Sequence, residues 1–253
     1  MTFWTAVSRS YTQAWRFLFA LPLIALAIIG FEGLQHIVEW NGGMYRDMAG
    51  MKAAGGDITR LTFGMVKVIW LIVAEYWVIR FTVSGSAQAA LDLDPVAVRK
   101  FGLILLINFA LAVCMLIVPV FVPAGPAHKV ILIAISLVSL LTFPLDIAMD
   151  PWIVGAAIGD KRSGPWFALK RAWGSIWWGL ALTFAVTLPP MIGHYVLGFA
   201  AVAKPALVAI PMLAFDAVLV GFLGVVMHTC TVMVAARMAA SKGETLQLGL
   251  AET

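Results

Sequence analysis

Apolar residues in this chain come in long runs, without the alternation of half-buried strands or the single apolar stripe of surface helices. Six runs stand out: about Trp15 to Val38, Leu61 to Val83, Phe101 to Val122, His128 to Gly159, Ser175 to Ala200 and Pro205 to Ala240. Each reaches the roughly 20 residues a helix needs to cross a bilayer. An even number of crossings puts both termini on one side.

The fourth and sixth runs are longer than a bilayer requires, since roughly 32 helical residues reach about 48 Å. The fourth contains Pro144 and the pair Asp150-Pro151. Asp before Pro is a helix-start signal. It predicts a spanning helix to about Met149 and a short helix over Pro151–Gly159, with one long kinked helix as the alternative. Pro189-Pro190 is expected to kink or end the fifth helix. Pro211 implies a short entry segment before the sixth.

Composition supports the same solvent. Of 253 residues, 62% are hydrophobic and 12% are charged, about half of the roughly 25% usual in soluble domains. The mean hydropathy is +0.96. These values exclude a soluble globular enzyme, a disordered chain and a nucleic-acid-binding domain. The fold class expected is an all-α membrane protein of six transmembrane helices arranged as three hairpins. Cys114 and Cys230 both lie in apolar runs, so they are expected as reduced core residues rather than a disulfide or zinc site. The amphipathic start lacks the pattern of a cleavable signal, so the first run is expected to stay as an anchor.

Orientation follows from the basic residues. The side of the termini receives Arg9, Arg16, Arg80, Arg99, Lys100, Lys161, Arg162, Lys170, Arg171, Arg237 and Lys242, eleven in all. The other side receives Arg46, Lys52, Arg60, Lys67, Lys129 and Lys204. The excess places both termini in the cytoplasm of a bacterial inner membrane. The longest loop, Glu39 to Arg60, then lies outside. It is expected to connect two helices, with closure over a cavity as the alternative.

Trp4 to Leu18 aligns with Trp166 to Leu180 at five of fifteen positions, including Trp4 with Trp166, Ala6 with Ala168 and Arg9 with Arg171. Pro95 to Lys100 is a weaker third copy. Each is basic and aromatic or apolar, and each precedes an outgoing helix. They read as amphipathic interfacial helices, with Arg9, Arg99, Lys100, Lys170 and Arg171 meeting lipid phosphates. The chain divides on this reading into units of about 1–83, 84–160 and 161–240, with a short cytoplasmic tail at 241–253.

The stretch from Asp150 to Leu182 combines a helix end, a turn with Gly and charges, and an Ala- and Trp-rich lead into the next helix. It resembles the bacterial YciC-like group and the membrane domain attached to some glycerophosphoryl diester phosphodiesterases. The resemblance implies a six-helix inner-membrane protein, and it assigns no catalytic residue.

An ionisable group at membrane depth is a functional hypothesis in itself. Glu32, His36, Lys67, His194 and Asp216 form an expected outer polar cluster. Glu32, His36 and Glu39 share one helix face, and Glu32 is expected to pair with Lys67. Glu75, Arg80, Asp146, Asp150 and His228 form an expected buried network, with Glu75 meeting His228 and Arg80 meeting Asp146 or Asp150. The sequence alone assigns no cofactor and no metal, and it lacks the serine-elbow, Walker and zincin motifs. Its leading reading is a non-enzymatic, lipid-associated structural or accessory module. Its partners would be anionic membrane lipids, with protein partners in the membrane and no nucleic acid. The alternative is a small transporter or channel using the network around Glu75. The third is a membrane enzyme using Glu32, His36 and Asp216, which requires those side chains to converge.

Overall fold

The computed structural model describes residues 1–116, 121 and 125–247. Among them the chain is helical, with no strand. In chain order the helices are α1 (Phe3–Ala20), α2 (Pro22–Asn41), α3 (Met48–Ala54), α4 (Ile58–Ser84), α5 (Ala87–Leu91), α6 (Pro95–Leu116), α7 (Pro126–Ala157), α8 (Pro165–Ala172), α9 (Ile176–Ala201) and α10 (Ala206–Ala240). Six of these, α2, α4, α6, α7, α9 and α10, are long and apolar enough to cross a membrane. The protein is an all-α, six-span membrane protein. The end of the third run, at Val122, lies outside the described residues.

The helix α10 is the central element. It packs against α9, α1, α2, α7 and α4. Small residues on α10 permit the approach. A Cβ added at Gly224 would stand 2.6 Å from Leu71 of α4, and one at Gly221 would collide with Ile29 of α2. In lipid, where burial of apolar surface does not drive helices together, such close backbone packing holds them. The hairpin of α6 and α7 sits at the edge, and many of its apolar side chains, among them Leu106, Ile133, Leu140 and Leu141, are exposed. Cys230 is buried as expected, whereas Cys114 on this edge hairpin is exposed.

The first run divides in two. A break at Leu21-Pro22 separates α1 from α2. Ala6, Ser10, Ala14 and Phe17 bury one face of α1, while Trp4, Trp15 and Phe19 are exposed. The Thr229 hydroxyl of α10 donates to the Ser10 carbonyl at 2.9 Å. The α8 helix repeats this layout, with Ala168 buried and Trp166 exposed, but it is 8 residues long against 18 for α1. The third basic stretch differs: Pro95 to Lys100 forms the first turns of the spanning helix α6, and the separate short helix before it is α5.

The prolines do not end their helices. The fourth run is one helix, α7, with Pro144 and Pro151 inside it, so Asp150 caps nothing. The α9 helix continues through Pro189 and Pro190, and α10 through Pro211. Proline frees the carbonyl four residues earlier, and within a membrane that carbonyl needs another partner. The carbonyl freed by Pro190 is that of Val186. The Tyr11 hydroxyl of α1 donates to it at 2.7 Å. The helix thus persists because a neighbour supplies the missing donor.

Tyr11→Phe leaves this carbonyl unpaired and should lower stability by about 1–3 kcal/mol. Tyr195→Phe, at an exposed site on the same helix, should not. Unfolding of both variants in mixed micelles checks the difference.

Candidate functional site

The outer polar cluster assembles at the end of the bundle opposite the termini. Its side chains come from α2 (Glu32, Gln35, His36, Glu39), α4 (Arg60, Lys67), α9 (His194) and α10 (Asp216), with Tyr45 from the loop after α2. Successive turns of α2 place its four polar residues along one buried strip. Asp216 and Glu32 have 0% and 1% exposure. Such carboxylates persist at membrane depth only with partners.

Each carboxylate has its own. Glu32 Oε2 lies 2.7 Å from Lys67 Nζ, as expected for hairpin neighbours. Glu39 Oε1 accepts from Arg60 Nε at 2.8 Å and from Gln35 Nε2 at 2.9 Å. Asp216 lies between two imidazoles, with Oδ2 at 3.0 Å from His36 Nε2 and 2.9 Å from His194 Nδ1. The two ring nitrogens of His36 are treated differently. Nδ1 lies 3.0 Å from Glu39 Oε2, and Tyr45 donates its hydroxyl to the same oxygen at 2.7 Å. Nε2 faces Asp216 and, at 3.6 Å, Glu32 Oε1. It meets neither with hydrogen-bond alignment.

Glu32, His194 and Asp216 each offer a ligand atom within 4.8 Å of the other two. Two carboxylate oxygens and an imidazole nitrogen form a ligand set suited to zinc or a similar divalent ion. His36 Nε2 adjoins this trio.

The loop from Glu39 to Arg60 does more than connect. Tyr45 is 3% exposed, and burial, reinforced by Glu39, raises its phenol pKa well above the usual value. Tyr45 therefore stays a neutral donor. Its carbonyl accepts from Ala203 N at 2.8 Å, across to the loop between α9 and α10. Ala203 there has φ 59°, a left-handed conformation uncommon outside glycine. Tyr45, Gln35 and Arg60 were not expected in the site; nothing in the run pattern marks a loop tyrosine as buried.

Two cavities that share Trp40 adjoin the cluster, one at His36 and the other at Tyr45. A cavity of about 590 Å³ is lined by Gly33, Leu34, Ile37, Ile210 and Leu213, with His36 in its wall and Trp40 at its end. A second, of about 450 Å³, is lined by Trp40, Tyr45, Arg46 and Lys204.

The expected buried network at the other end forms only in part. His228 Nδ1 meets Glu75 Oε1 at 3.2 Å. Asp150 is buried, with Glu75 and Asp146 as its charged neighbours. Asp146 itself is exposed. Arg80 pairs with neither. It donates to the carbonyls of Ala89 and Ala157, lies 3.5 Å from Asp92, and sits over the Tyr76 ring. Free carbonyls at helix ends outcompete the distant carboxylates for its five donors.

The five residues expected to meet lipid phosphate also divide. Arg9, Arg99 and Lys170 are exposed. Lys100 instead donates to the carbonyls of Asp160 and Lys161, each at 2.8 Å. Arg171 is buried, stacks on Phe167 and pairs with Glu244. That pairing ties down the tail as far as Leu246, which packs on the core; residues 248–253 of the tail lie outside the described residues.

Comparison with protein-family models, curated proteins and solved structures gives no match for this chain.

Removing the cation from a buried pair leaves an uncompensated charge, at a cost of about 3–5 kcal/mol. Lys67→Met should therefore destabilise the metal-free protein by that order, and adding Glu32→Gln should restore most of it. Unfolding in the presence of chelator checks both.

Proposed function

We propose that the protein is a metal-dependent membrane hydrolase whose centre is the cluster opposite the termini. The observation that carries this reading is the convergence of Glu32, His194 and Asp216 from three helices, beside an imidazole whose Nε2 lacks an aligned partner. The three side chains would hold a divalent ion, which would supply an activated water as catalytic zinc sites do. With Asp216 and Glu32 engaged by the ion, His36 Nε2 would be free to take the proton of that water. Its Nδ1 is held by Glu39, which orients the ring and stabilises the charge it gains. The hydroxide so formed would add to the carbonyl carbon or phosphorus of an ester. The bond to the leaving oxygen breaks, and that oxygen takes the proton from His36. Lys67 and Arg60 offset the charge of Glu32 and Glu39, so the pocket can hold three carboxylates.

The cytoplasmic placement of the termini, from the excess of basic residues, sets this site on the outer side of a bacterial inner membrane. The exposed Arg9, Arg99 and Lys170, with the exposed tryptophans beside them, serve as lipid-phosphate contacts on the opposite face. The resemblance of the Asp150 to Leu182 stretch to the YciC-like group accords with that membrane. The pair of Glu75 and His228 supports a second reading as a proton-coupled transporter, in which Glu75→Gln would abolish flux.

Purified protein stripped with chelator and reloaded with zinc, cobalt or manganese should hold about one ion per chain by elemental analysis. Asp216→Asn and His194→Ala should lose it, while Glu75→Gln keeps it. His36→Ala should keep the ion and lose hydrolysis of a panel of carboxylic and phosphoric esters. Glu39→Gln, one shell out, should weaken metal affinity or activity about 10–100-fold. Failure of the wild-type protein to bind any of these ions contradicts the reading.

A further inference from the structure

The two cavities beside the cluster meet at Trp40, and their linings differ in kind. The larger is an apolar groove between α2 and α10, two membrane-spanning helices, so its open side faces the bilayer. On α2 it extends from Trp40 at the distal end to Gly30. Ten helical residues cover about 15 Å, half of a hydrocarbon core of about 30 Å. The groove is therefore as long as one leaflet is deep. Its floor is formed where side chains are lacking: a Cβ added at Gly30 or Gly33 would meet nothing within 4 Å. The smaller cavity lies where the loops after α2 and before α10 meet and carries two cations, Lys204 and Arg46, the latter 3.5 Å from Asp47. His36, in the groove wall, stands between this cavity and the metal-ligand trio.

Resting on the reading of the cluster as a hydrolytic centre, we propose that the groove and cleft form one site for an anionic glycerophospholipid. The lipid comes from the leaflet opposite the termini. One acyl chain lies along Gly30, Gly33, Leu34, Ile37 and Leu213. The phosphate lies between Arg46 and Lys204. The ester groups, which join chain to head, then fall beside His36, the one residue of the groove wall that touches the ligand trio. Entry is lateral, from the bilayer, so the substrate need not leave the membrane.

The test uses full-length protein, delipidated in detergent and incubated with phosphatidylglycerol, phosphatidylcholine or diacylglycerol, with retained lipid counted by native mass spectrometry. Metal content is measured on the same samples. Wild type should retain phosphatidylglycerol in preference to the other two. Gly33→Phe puts a ring into the groove, and its Cβ meets no protein atom within 4 Å. It should weaken retention of all three lipids; loss of two methylene contacts already accounts for about tenfold. The pair Arg46→Gln and Lys204→Gln should remove the preference for phosphatidylglycerol and leave diacylglycerol retention unchanged. All variants should keep the wild-type metal content. Undiminished lipid retention in Gly33→Phe overturns the proposal, as does an unchanged preference in the double variant. Lipid retention without metal would instead overturn the hydrolytic reading and leave the lipid site standing.

Discussion

The charge of Asp216 governs the architecture of the distal end. It sits on the central helix with no exposure, where a carboxylate without partners would cost several kcal/mol. It is met by two imidazoles, one from α2 and one from α9. Drawing His36 there brings Glu32 and Glu39 with it, since they share its helix face. Those carboxylates in turn require Lys67 and Arg60 from α4. One buried charge thus fixes the relative placement of four helices and one loop. It also leaves the protein with a polar centre, built on rigid helices, in a medium that otherwise excludes one.

That arrangement separates two tasks that soluble sites often share. Packing is carried by small residues, where α10 meets α2 and α4 at Gly221 and Gly224. The charged side chains gather into two groups, one in each half of the bundle. The end near the termini uses its charges differently. Arg80, Lys100 and Arg171 bind helix-end carbonyls or a single carboxylate from the tail. They tie short helices and turns to the spans. The distal charges instead converge on one another around a shared centre.

Much of this was legible in the sequence, and the failures have physical causes. The six spans are written in the apolar runs because the bilayer tolerates little else. The pairings of Glu32 with Lys67 and of Glu75 with His228 follow from depth, since each charge at membrane depth must find a partner at the same level. Between a break and a continuous helix at Pro151 and Pro190 the sequence leaves the choice open. Whether a proline ends a helix depends on a donor elsewhere, here the Tyr11 hydroxyl some 175 residues away in the chain. Arg80 was misassigned because counting charges ignores backbone carbonyls. Tyr45 was missed because a loop residue carries no periodicity. The third basic stretch runs straight into α6, for no residue between Pro95 and Phe101 breaks the helix. The convergence of His194 and Asp216 on the α2 strip is a matter of helix rotation, on which a run of apolar residues is silent.

The central claim is that the buried cluster is a metal centre rather than a self-neutralising charge network. Anomalous diffraction at the zinc edge, from crystals of zinc-loaded protein, tests it most directly. A metal centre gives one strong peak among Glu32, His194 and Asp216, with metal–ligand distances of roughly 2.0–2.2 Å and His36 Nε2 facing it. A map with no peak there, and with Asp216 still bridging His36 and His194 at hydrogen-bond distance, would contradict it.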